Sequence, residues 1–261
     1  KIMMDYKIEI CANSVASCLE AQKGGAHRVE LCASIPEGGT TPSYASIALA
    51  RELLNIKLHV IIRPRGGDFL YSALEHQIML KDIEMAKKLN VDGIVIGCLT
   101  PQGDVDMQRN RELIDAAEGM SVTFHRAFDM CRNPFESMEN IISLRCDRIL
   151  TSGRKPKAEQ GIPLIRQLVK QADERIIIMP GSGINEYNIA KIAHETGAKE
   201  FHLSVREKIE SNMIYRNPNL SMGGTTITID EYAQEITSAS RVAKALKNLQ
   251  QANSDNNLIR Y

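Results

Sequence analysis

Two short segments of the sequence carry the same pair of reactive side chains, a glutamate followed two residues later by a cysteine. They are Glu9 with Cys11 and Glu30 with Cys32. If the segments are neighbouring strands, the thiols lie side by side, and a pair of soft thiolates favours Cu(I) in a linear geometry. Zn²⁺ would instead need four ligands, with histidines helping. The residues by themselves favour a plainer alternative, in which reduced, buried cysteines act as small apolar side chains.

Two arginines stand beside glycine-rich backbone in the segment Arg63-Pro64-Arg65-Gly66-Gly67. Paired guanidinium groups suit a carboxylate or a phosphate, because a planar guanidinium can bind two oxygens at once. The segment therefore predicts an anion site that contains Arg63 and Arg65. A solvated salt bridge within the loop is an equally simple alternative.

An imidazole, a cation and a carboxylate stand close together in the segment Phe124-His125-Arg126-Ala127-Phe128-Asp129. His125 is predicted to be a general base or a ligand, with Asp129 orienting it, because a neutral imidazole can take up a proton near neutral pH. Arg126 would add to the anion site. The alternative is a core histidine whose hydrogen bonds are satisfied within the protein.

Small residues form two further turns that are predicted to expose backbone N–H groups to an anion. They are Thr151-Ser152-Gly153 and Pro180-Gly181-Ser182-Gly183-Ile184-Asn185. The candidate binding residues are Ser152, Gly181, Ser182 and Gly183. Barrels commonly bind phosphate after their seventh and eighth strands, which favours the second turn. A tight turn that needs glycine only for its conformation is the alternative.

These segments lie at the ends of short apolar or alternating runs that are typical of β-strands. Eight such strands are predicted: Lys7–Cys11, Arg28–Cys32, Lys57–Arg63, Val91–Cys98, Ser121–Arg126, Asp147–Thr151, Arg175–Pro180 and Glu200–Val205. Helical periodicity with capping residues appears between them, clearest at Ser14–Gly24, Tyr71–Asn90, Asn185–Thr196 and Asp230–Leu249.

Eight strand–helix units without an intervening linker predict a parallel sheet, because each return crosses over through a helix. In a chain of about 250 residues they favour an α/β fold of the (β/α)8 TIM-barrel type, as a single domain over residues 1–261. The Gly-rich turn of an open, doubly wound sheet is missing after the first strand, where Cys11-Ala12-Asn13-Ser14 stands instead. We expect a long irregular loop at 206–229 and a frayed tail at 250–261.

Alternation of side chains along the strands predicts an unusually polar barrel interior. Seven ionisable residues are expected to face one lumen: Glu9, Glu30, His59, Arg63, His125, Glu200 and His202. Since unpartnered buried carboxylates are costly, they need histidine and arginine neighbours. A polar pocket at the C-terminal mouth is the functional interpretation, with His202 among its anion-binding residues; a structural network of ion pairs is the alternative.

Composition excludes several classes of protein. The 32 basic and 32 acidic residues give a formal net charge of zero, which argues against nucleic-acid binding and against a polybasic membrane surface. The sequence contains no run of about 18 apolar residues, so no transmembrane helix is expected. The first residues lack the apolar region of a secretory signal. Six scattered cysteines without a C-x-x-C pair are then expected to be reduced thiols in a cytoplasmic protein.

The motifs taken together resemble the copper homeostasis protein CutC family, over about residues 6 to 249. The carrying segments are Glu9–Cys11, Arg28–Cys32, Gly38–Ser43, Ile62–Tyr71, Phe124–Asp129, Ile149–Gly153 and Met179–Gly183. The resemblance implies a cytoplasmic (β/α)8 barrel linked to copper handling. It also implies that the cysteine pair of the family falls on Cys11 and Cys32.

Two functions therefore compete. One is a cytosolic copper homeostasis protein that binds copper, as Cu(I), through Cys11 and Cys32 at the C-terminal mouth. The other is a barrel enzyme acting on a small anionic or phosphorylated metabolite, with proton transfer by Glu9, Glu30 or His125. The partner is accordingly a copper ion or a small anionic metabolite. A homo-oligomer is compatible with the sequence, and a pure interaction scaffold would not need a polar lumen.

Overall fold

Eight parallel strands form a barrel in the computed structural model, which describes residues 6–222 and 229–258. The strands are β1 Lys7–Ala12, β2 Arg28–Leu31, β3 Lys57–Ile61, β4 Gly93–Ile96, β5 Ser121–Phe124, β6 Arg148–Thr151, β7 Ile177–Pro180 and β8 Glu200–Leu203. They follow one another in the order β8-β1-β2-β3-β4-β5-β6-β7. A parallel bridge between Gly181 and His202 brings β7 next to β8 and closes the ring. The predicted single-domain (β/α)8 barrel is confirmed.

Helices return the chain from one strand to the next. They are α1 Val15–Lys23, α2 Tyr44–Leu53, α3 Ala73–Lys88, α4 Met107–Ala116, α5 Pro134–Ser143, α6 Ile162–Ala172, α7 Ile189–Thr196 and α8 Ala239–Leu258. Short polar side chains begin several of them by accepting backbone N–H groups. Ser14 caps α1, and Ser72 with Glu75 forms a reciprocal capping box on α3. None of the described helices is long and apolar enough to cross a membrane.

The segment after β8 differs from its prediction as a long irregular loop. It opens with a strand, β9 Arg206–Glu210, which pairs antiparallel with β10 Ala233–Thr237. The predicted helix Asp230–Leu249 therefore begins only at Ala239, because residues 233–237 satisfy their backbone groups in the β-ladder. Residues 223–228 of the predicted loop lie outside the described residues.

Two other helix boundaries differ from their predicted positions. Helix α7 begins at Ile189 rather than at Asn185, because Asn185 and Asn188 hydrogen-bond in a turn before the helix. Helix α8 continues to Leu258, through most of the segment predicted to be a frayed tail. Residues 259–261 of that tail lie outside the described part of the chain.

The strands divide their side chains between two environments. Ile8 and Ile10 of β1 and Leu58 and Val60 of β3 belong to the apolar core of the molecule, together with residues of the surrounding helices. The alternate positions of the same strands carry the buried ionisable groups, including Glu9 and His59. The alternation inferred from the sequence is confirmed for these strands, and it places polar chemistry inside the barrel.

Candidate functional site

A network of ion pairs fills the lower layer of the lumen. Arg28 binds both Glu9 and Glu200, and Arg148 also reaches Glu200 at 3.2 Å. All four side chains are buried. Each buried carboxylate therefore has at least one guanidinium partner, which offsets the loss of hydration.

Arg28 and Arg148 were not among the residues selected from the sequence. Both follow from the alternation that selected the others, because Arg28 stands two residues before Glu30 on β2 and Arg148 stands two residues before Leu150 on β6. The signal was present and was overlooked. Glu9 belongs to this lower layer and does not line the mouth of the barrel.

Above this layer, two thiols and a carboxyl group converge. Cys11 lies opposite Glu30 in the register of β1 and β2, and Cys32 follows on the same face of the chain. The Sγ atoms of Cys11 and Cys32 and a carboxylate oxygen of Glu30 all lie within 4.8 Å of one another. We call these three residues the thiol cluster. As the repeated glutamate–cysteine pairs predicted, the two sulfurs are neighbours.

The surroundings of the thiol cluster distinguish its two sulfurs. Hydrogen bonds from Cys32 and His202 and the charge of Arg206 hold the pKa of Cys11 well below its usual range. An Nη2–H of Arg206 lies 3.5 Å from the Cys11 sulfur. The hydrogen bond with Cys11, burial and the neighbouring anionic groups raise the pKa of Cys32. The two thiols therefore titrate as one pair, and the pKa directions favour the thiolate at Cys11.

His202 lies beside the thiol cluster, between two carboxyl groups. Its Nδ1 lies 2.7 Å from Glu9 and its Nε2 lies 3.7 Å from Glu30. Burial lowers the pKa of His202, but hydrogen bonds with Cys11 and Glu9 and the charges of Glu30 and Glu9 raise it overall. Burial, together with the charges of Cys11 and Glu9, raises the pKa of Glu30 to about 8 against the charge of His202. Nδ1 is thus engaged by Glu9, whereas 3.7 Å is too long for a hydrogen bond from Nε2 to Glu30. His202 also lines the cavity, and its anion-binding role stays a prediction.

Another part of the mouth carries hydrogen-bond donors. Arg63 leaves the end of β3, and His125 leaves the end of β5. The guanidinium of Arg63 lies 5.1 Å from the centroid of the Phe69 ring, and the imidazole of His125 lies 5.0 Å from the same ring. We call Arg63, Phe69 and His125 the donor wall.

Asp129 does not orient His125, contrary to the prediction. Its carboxylate accepts the hydroxyl of Thr151, the N–H groups of Ser152 and Arg154, and the Nε–H of Arg126. It thus holds the loop after β6, because Thr151, Ser152 and Arg154 supply three of these four donors. Arg126 lies on the rim, and its Nη2–H donates to the Ser152 hydroxyl.

Arg65 and Ser152 are loop residues and do not line the cavity. Arg65 donates all five of its N–H groups to nearby acceptors, which are the carboxylates of Glu75 and Asp68 and three backbone carbonyls. Ser152 is completely buried and donates to the carbonyl of Lys155. The sequence could not separate Arg65 from Arg63, because both stand beside the same glycines.

The predicted turn after β7 is divided between two roles. Gly181 donates to the carbonyl of Thr151 and closes the barrel against His202, so it is structural. Ser182 and Gly183 line the mouth, and both have left-handed backbone with φ of 81° and 71°. Helix α7 begins six residues beyond Gly183, so its N-terminus does not add to this turn as the sequence suggested.

The thiol cluster and the donor wall face one cavity of about 500 Å³ at the C-terminal end of the strands. Side chains from the ends of β1, β2, β3, β5 and β8 reach it. The predicted residues that line it are Cys11, Glu30, Cys32, Arg63, His125, Arg126, Asp129, Ser182, Gly183 and His202. Phe69, Arg206 and the apolar Ile35, Ile61 and Leu150 are lining residues that the sequence did not single out.

Comparison with known proteins places the chain in a family. A model of the CutC family matches residues 6–207. The chain belongs to the CutC family. A curated CutC family protein of Bacteroides thetaiotaomicron is 59% identical over 246 residues, which cover 94% of this chain and 98% of that protein. A CutC family protein of Chromobacterium violaceum is 52% identical over 239 residues, covering 92% and 96%.

Solved structures agree with this assignment. The crystal structure of the copper homeostasis protein CutC from Streptococcus agalactiae has a TM-score of 0.74 and 36% identity, covering 76% of this chain and 98% of that one. A thiamine phosphate pyrophosphorylase from Pyrococcus furiosus has a TM-score of 0.59 at 14% identity, covering 97% and 99%. The second likeness shows the barrel fold alone.

The part of this CutC-family chain that matches the family model contains all eight barrel strands and every residue that lines the cavity. Residues 208–210 of β9 and all of β10 lie beyond the residues that match the family model. The thiol cluster and the donor wall therefore belong to the part that the family model describes.

Proposed function

We propose that this protein binds copper in the cytosol, as Cu(I), between Cys11 and Cys32 at the C-terminal mouth of the barrel. The observation that carries the proposal is the convergence of two thiols and the Glu30 carboxyl group within 4.8 Å. A metal–sulfur bond of about 2.3 Å, as for zinc, gives a linear S–metal–S unit a span of about 4.6 Å. The two sulfur atoms lie no more than 4.8 Å apart, close enough to share one ion.

The environment of the sulfurs favours a soft, singly charged ion. Cys32 packs with Ile61 and Val95, and Cys11 and Ile35 lie against this apolar group. These apolar contacts leave few hard ligands on this side of the pair, which suits Cu(I), an ion that prefers soft ligands in low coordination number. Hard divalent ions would prefer more oxygen ligands and water.

Further support comes from thiol chemistry and from the relatives. All six cysteines of this chain are free thiols, as expected in a reducing compartment, and two reduced thiols are what Cu(I) requires. The solved relative from Streptococcus agalactiae carries the name of a copper homeostasis protein.

The sequence is compatible with a homo-oligomer. This stays a prediction, and analytical ultracentrifugation tests it.

A competition titration tests the copper site. Reduced protein is titrated with Cu(I) against a chromophoric chelator, and we expect one ion per chain. The Cys11→Ser, Cys32→Ser double variant should bind at least about 100-fold more weakly, because both soft ligands are lost. Equal affinity in the wild type and the double variant would eliminate the site.

Cys98 supplies the matched control. It is as deeply buried as Cys32, its pKa is raised to about 12 by burial, and it lies outside the cavity. Cys98→Ala should therefore bind Cu(I) as the wild type does. A loss of copper binding in this variant would show that the thiol cluster is not the ligand set.

A second function, an enzyme acting on a small anionic metabolite, is favoured by the size of the cavity. Its volume of about 500 Å³ lies within the range of about 300–1,000 Å³ typical of small-molecule sites. Of the residues predicted for proton transfer, Glu30 lines this cavity and Glu9 does not. Incubating the protein with a metabolite extract and following its components by mass spectrometry should reveal a consumed compound, and Glu30→Gln should abolish that turnover.

A further inference from the structure

In the donor wall, two buried polar side chains each have a nitrogen without a hydrogen-bond partner among the described residues. His125 and Arg63 are each only 4% exposed. His125 Nε2 and Arg63 Nε are buried, and neither has a hydrogen-bond partner among the described residues. An unsatisfied buried donor costs about 1–3 kcal/mol. Native proteins accept that cost mainly where a ligand or water completes the bond.

The tautomer of His125 follows from its other nitrogen. Nδ1 accepts the backbone N–H of Ala127 at 3.2 Å, so it carries no proton. Burial and the charge of Arg63 lower the pKa of His125 to about 3, so the ring is neutral. A neutral imidazole whose Nδ1 carries no proton has its proton on Nε2. His125 is therefore a hydrogen-bond donor through Nε2, and its role as a general base stays a prediction.

Packing fixes the ring in this orientation. A Cβ at Gly97 would come within 2.5 Å of both Cε1 and Nδ1 of His125, so only glycine leaves room for the imidazole there. Phe69 covers the ring from another side. A donor whose position is fixed before the ligand arrives loses little entropy on binding.

Arg63 contributes a charge that lacks a counter-ion. Its Nη1 donates to the carbonyls of Glu37 and Gly39 at 2.8 and 2.7 Å, and its Nη2 donates to Gly67 at 2.9 Å. Within the described ranges, no carboxylate lies within 4.0 Å of its nitrogens. Carbonyl oxygens hold the guanidinium in place and leave its positive charge uncompensated, which favours an anion beside it.

We propose that the donor wall binds the carboxylate of a small organic acid, with His125 donating through Nε2–H and Arg63 supplying the charge. A planar group with two oxygens suits two separate donors beside the flat ring of Phe69. Phosphate sites in barrels are instead built from several backbone N–H groups at a helix N-terminus, and α7 begins too far along the chain to supply them. This inference deepens the second function proposed above and is independent of copper.

Nuclear magnetic resonance tests the proposal on the reduced, metal-free protein. Histidine is ¹⁵N-labelled, and pyruvate, malate, inorganic phosphate and acetamide are added as probes. We expect the resonances of a neutral Nε2–H tautomer for His125, and a downfield shift of that proton with pyruvate or malate. No shift with either acid would overturn the proposal. An equal response to neutral acetamide would remove the role of charge, and a response to phosphate alone would refute the carboxylate class.

Two variants and a matched control localise the binding. His125→Asn keeps an acceptor near Ala127 N–H and removes the Nε2–H donor, and Arg63→Lys removes the planar guanidinium. Each should weaken binding of the responding acid at least about tenfold, measured by calorimetry. His59→Asn is the control, because His59 is as buried, has its pKa lowered to about 3 mainly by burial, and does not line the cavity. It should change binding by less than about twofold.

Unchanged binding in His125→Asn would refute the site. Thermal unfolding checks that each variant folds, and the shift in the wild type remains decisive if Arg63→Lys does not. Because binding is measured without turnover or copper, a failure of this inference is distinguishable from a failure of either proposed function.

Discussion

The lower lumen and the mouth of the barrel treat buried charge in opposite ways. In the lower layer, Arg28 and Arg148 are paired with Glu9 and Glu200, so each charged group has a counter-ion. In the mouth, the guanidinium of Arg63 is held by carbonyl oxygens and the Phe69 ring, and it has no carboxylate partner among the described residues. The same strands therefore build a layer of internally paired charges at one end and, around Arg63, a layer with charge available to a ligand at the other.

The largest expected effect comes from breaking the lower layer. Arg28→Ala would leave Glu9 without its guanidinium and Glu200 with only Arg148. Removing one partner of a buried ion pair costs about 3–5 kcal/mol, and we expect that loss in the free energy of unfolding measured with urea. Arg175→Ala is the control, because its pair with Glu139 is exposed. It should cost no more than about 1 kcal/mol, and similar losses in both variants would contradict the comparison.

Asp129 should behave as a structural residue although it lies at the mouth. Asp129→Ala removes the acceptor of several hydrogen bonds from the loop after β6, including those of Thr151 and Ser152. Since a hydrogen bond to a charged group contributes about 1.5–3 kcal/mol, we expect a loss of about 2–3 kcal/mol. Hydrogen exchange should accelerate at residues 151–154. A variant of full stability would return Asp129 to the candidate catalytic groups.

Acidification should destabilise the protein partly through His125. Its folded pKa of about 3 lies below the ordinary value of 6.5, so the unfolded state takes up a proton first as the pH falls. The contribution of neutral His125 to the free energy of unfolding is fully present above pH 6.5 and is lost between pH 6.5 and about 3. At pH 5 the loss is about 2 kcal/mol. The decrease in stability from pH 7.5 to pH 5 should be smaller in His125→Asn, and an equal decrease would show that the ring is protonated in the folded state.

The smallest effect on the cavity is expected from Arg65. Arg65→Gln disturbs the loop that its five donors hold, and it leaves the donor wall with both Arg63 and His125 in place. Carboxylate affinity should change by less than about twofold, whereas Arg63→Lys lowers it at least about tenfold. Calorimetry with the same acid measures both, and a comparable loss in Arg65→Gln would erase the distinction between the two arginines.

Local patterns in the sequence were sufficient for the barrel and for much of its interior. Eight short apolar runs separated by helices determine a parallel barrel, because parallel strands must be joined by crossovers. Alternation along β1, β2 and β3 placed Glu9, Glu30 and His59 inside, because successive side chains point to opposite faces of a strand. The closeness of Cys11 and Cys32 follows from the same rule.

Tertiary structure alone decided what each group at the mouth does. The sequence presented Arg63 and Arg65 as equivalents, and His125 and Asp129 as partners. Their hydrogen bonds are made by residues distant in the chain or by backbone whose path depends on the whole fold: Gly39 for Arg63, and Ser152 for Asp129. The β9–β10 hairpin was also unforeseen, because pairing between β-strands overrides weak local helix preference. Spacing along the chain determines which face a side chain takes, and only the assembled barrel determines which of its donors remain free.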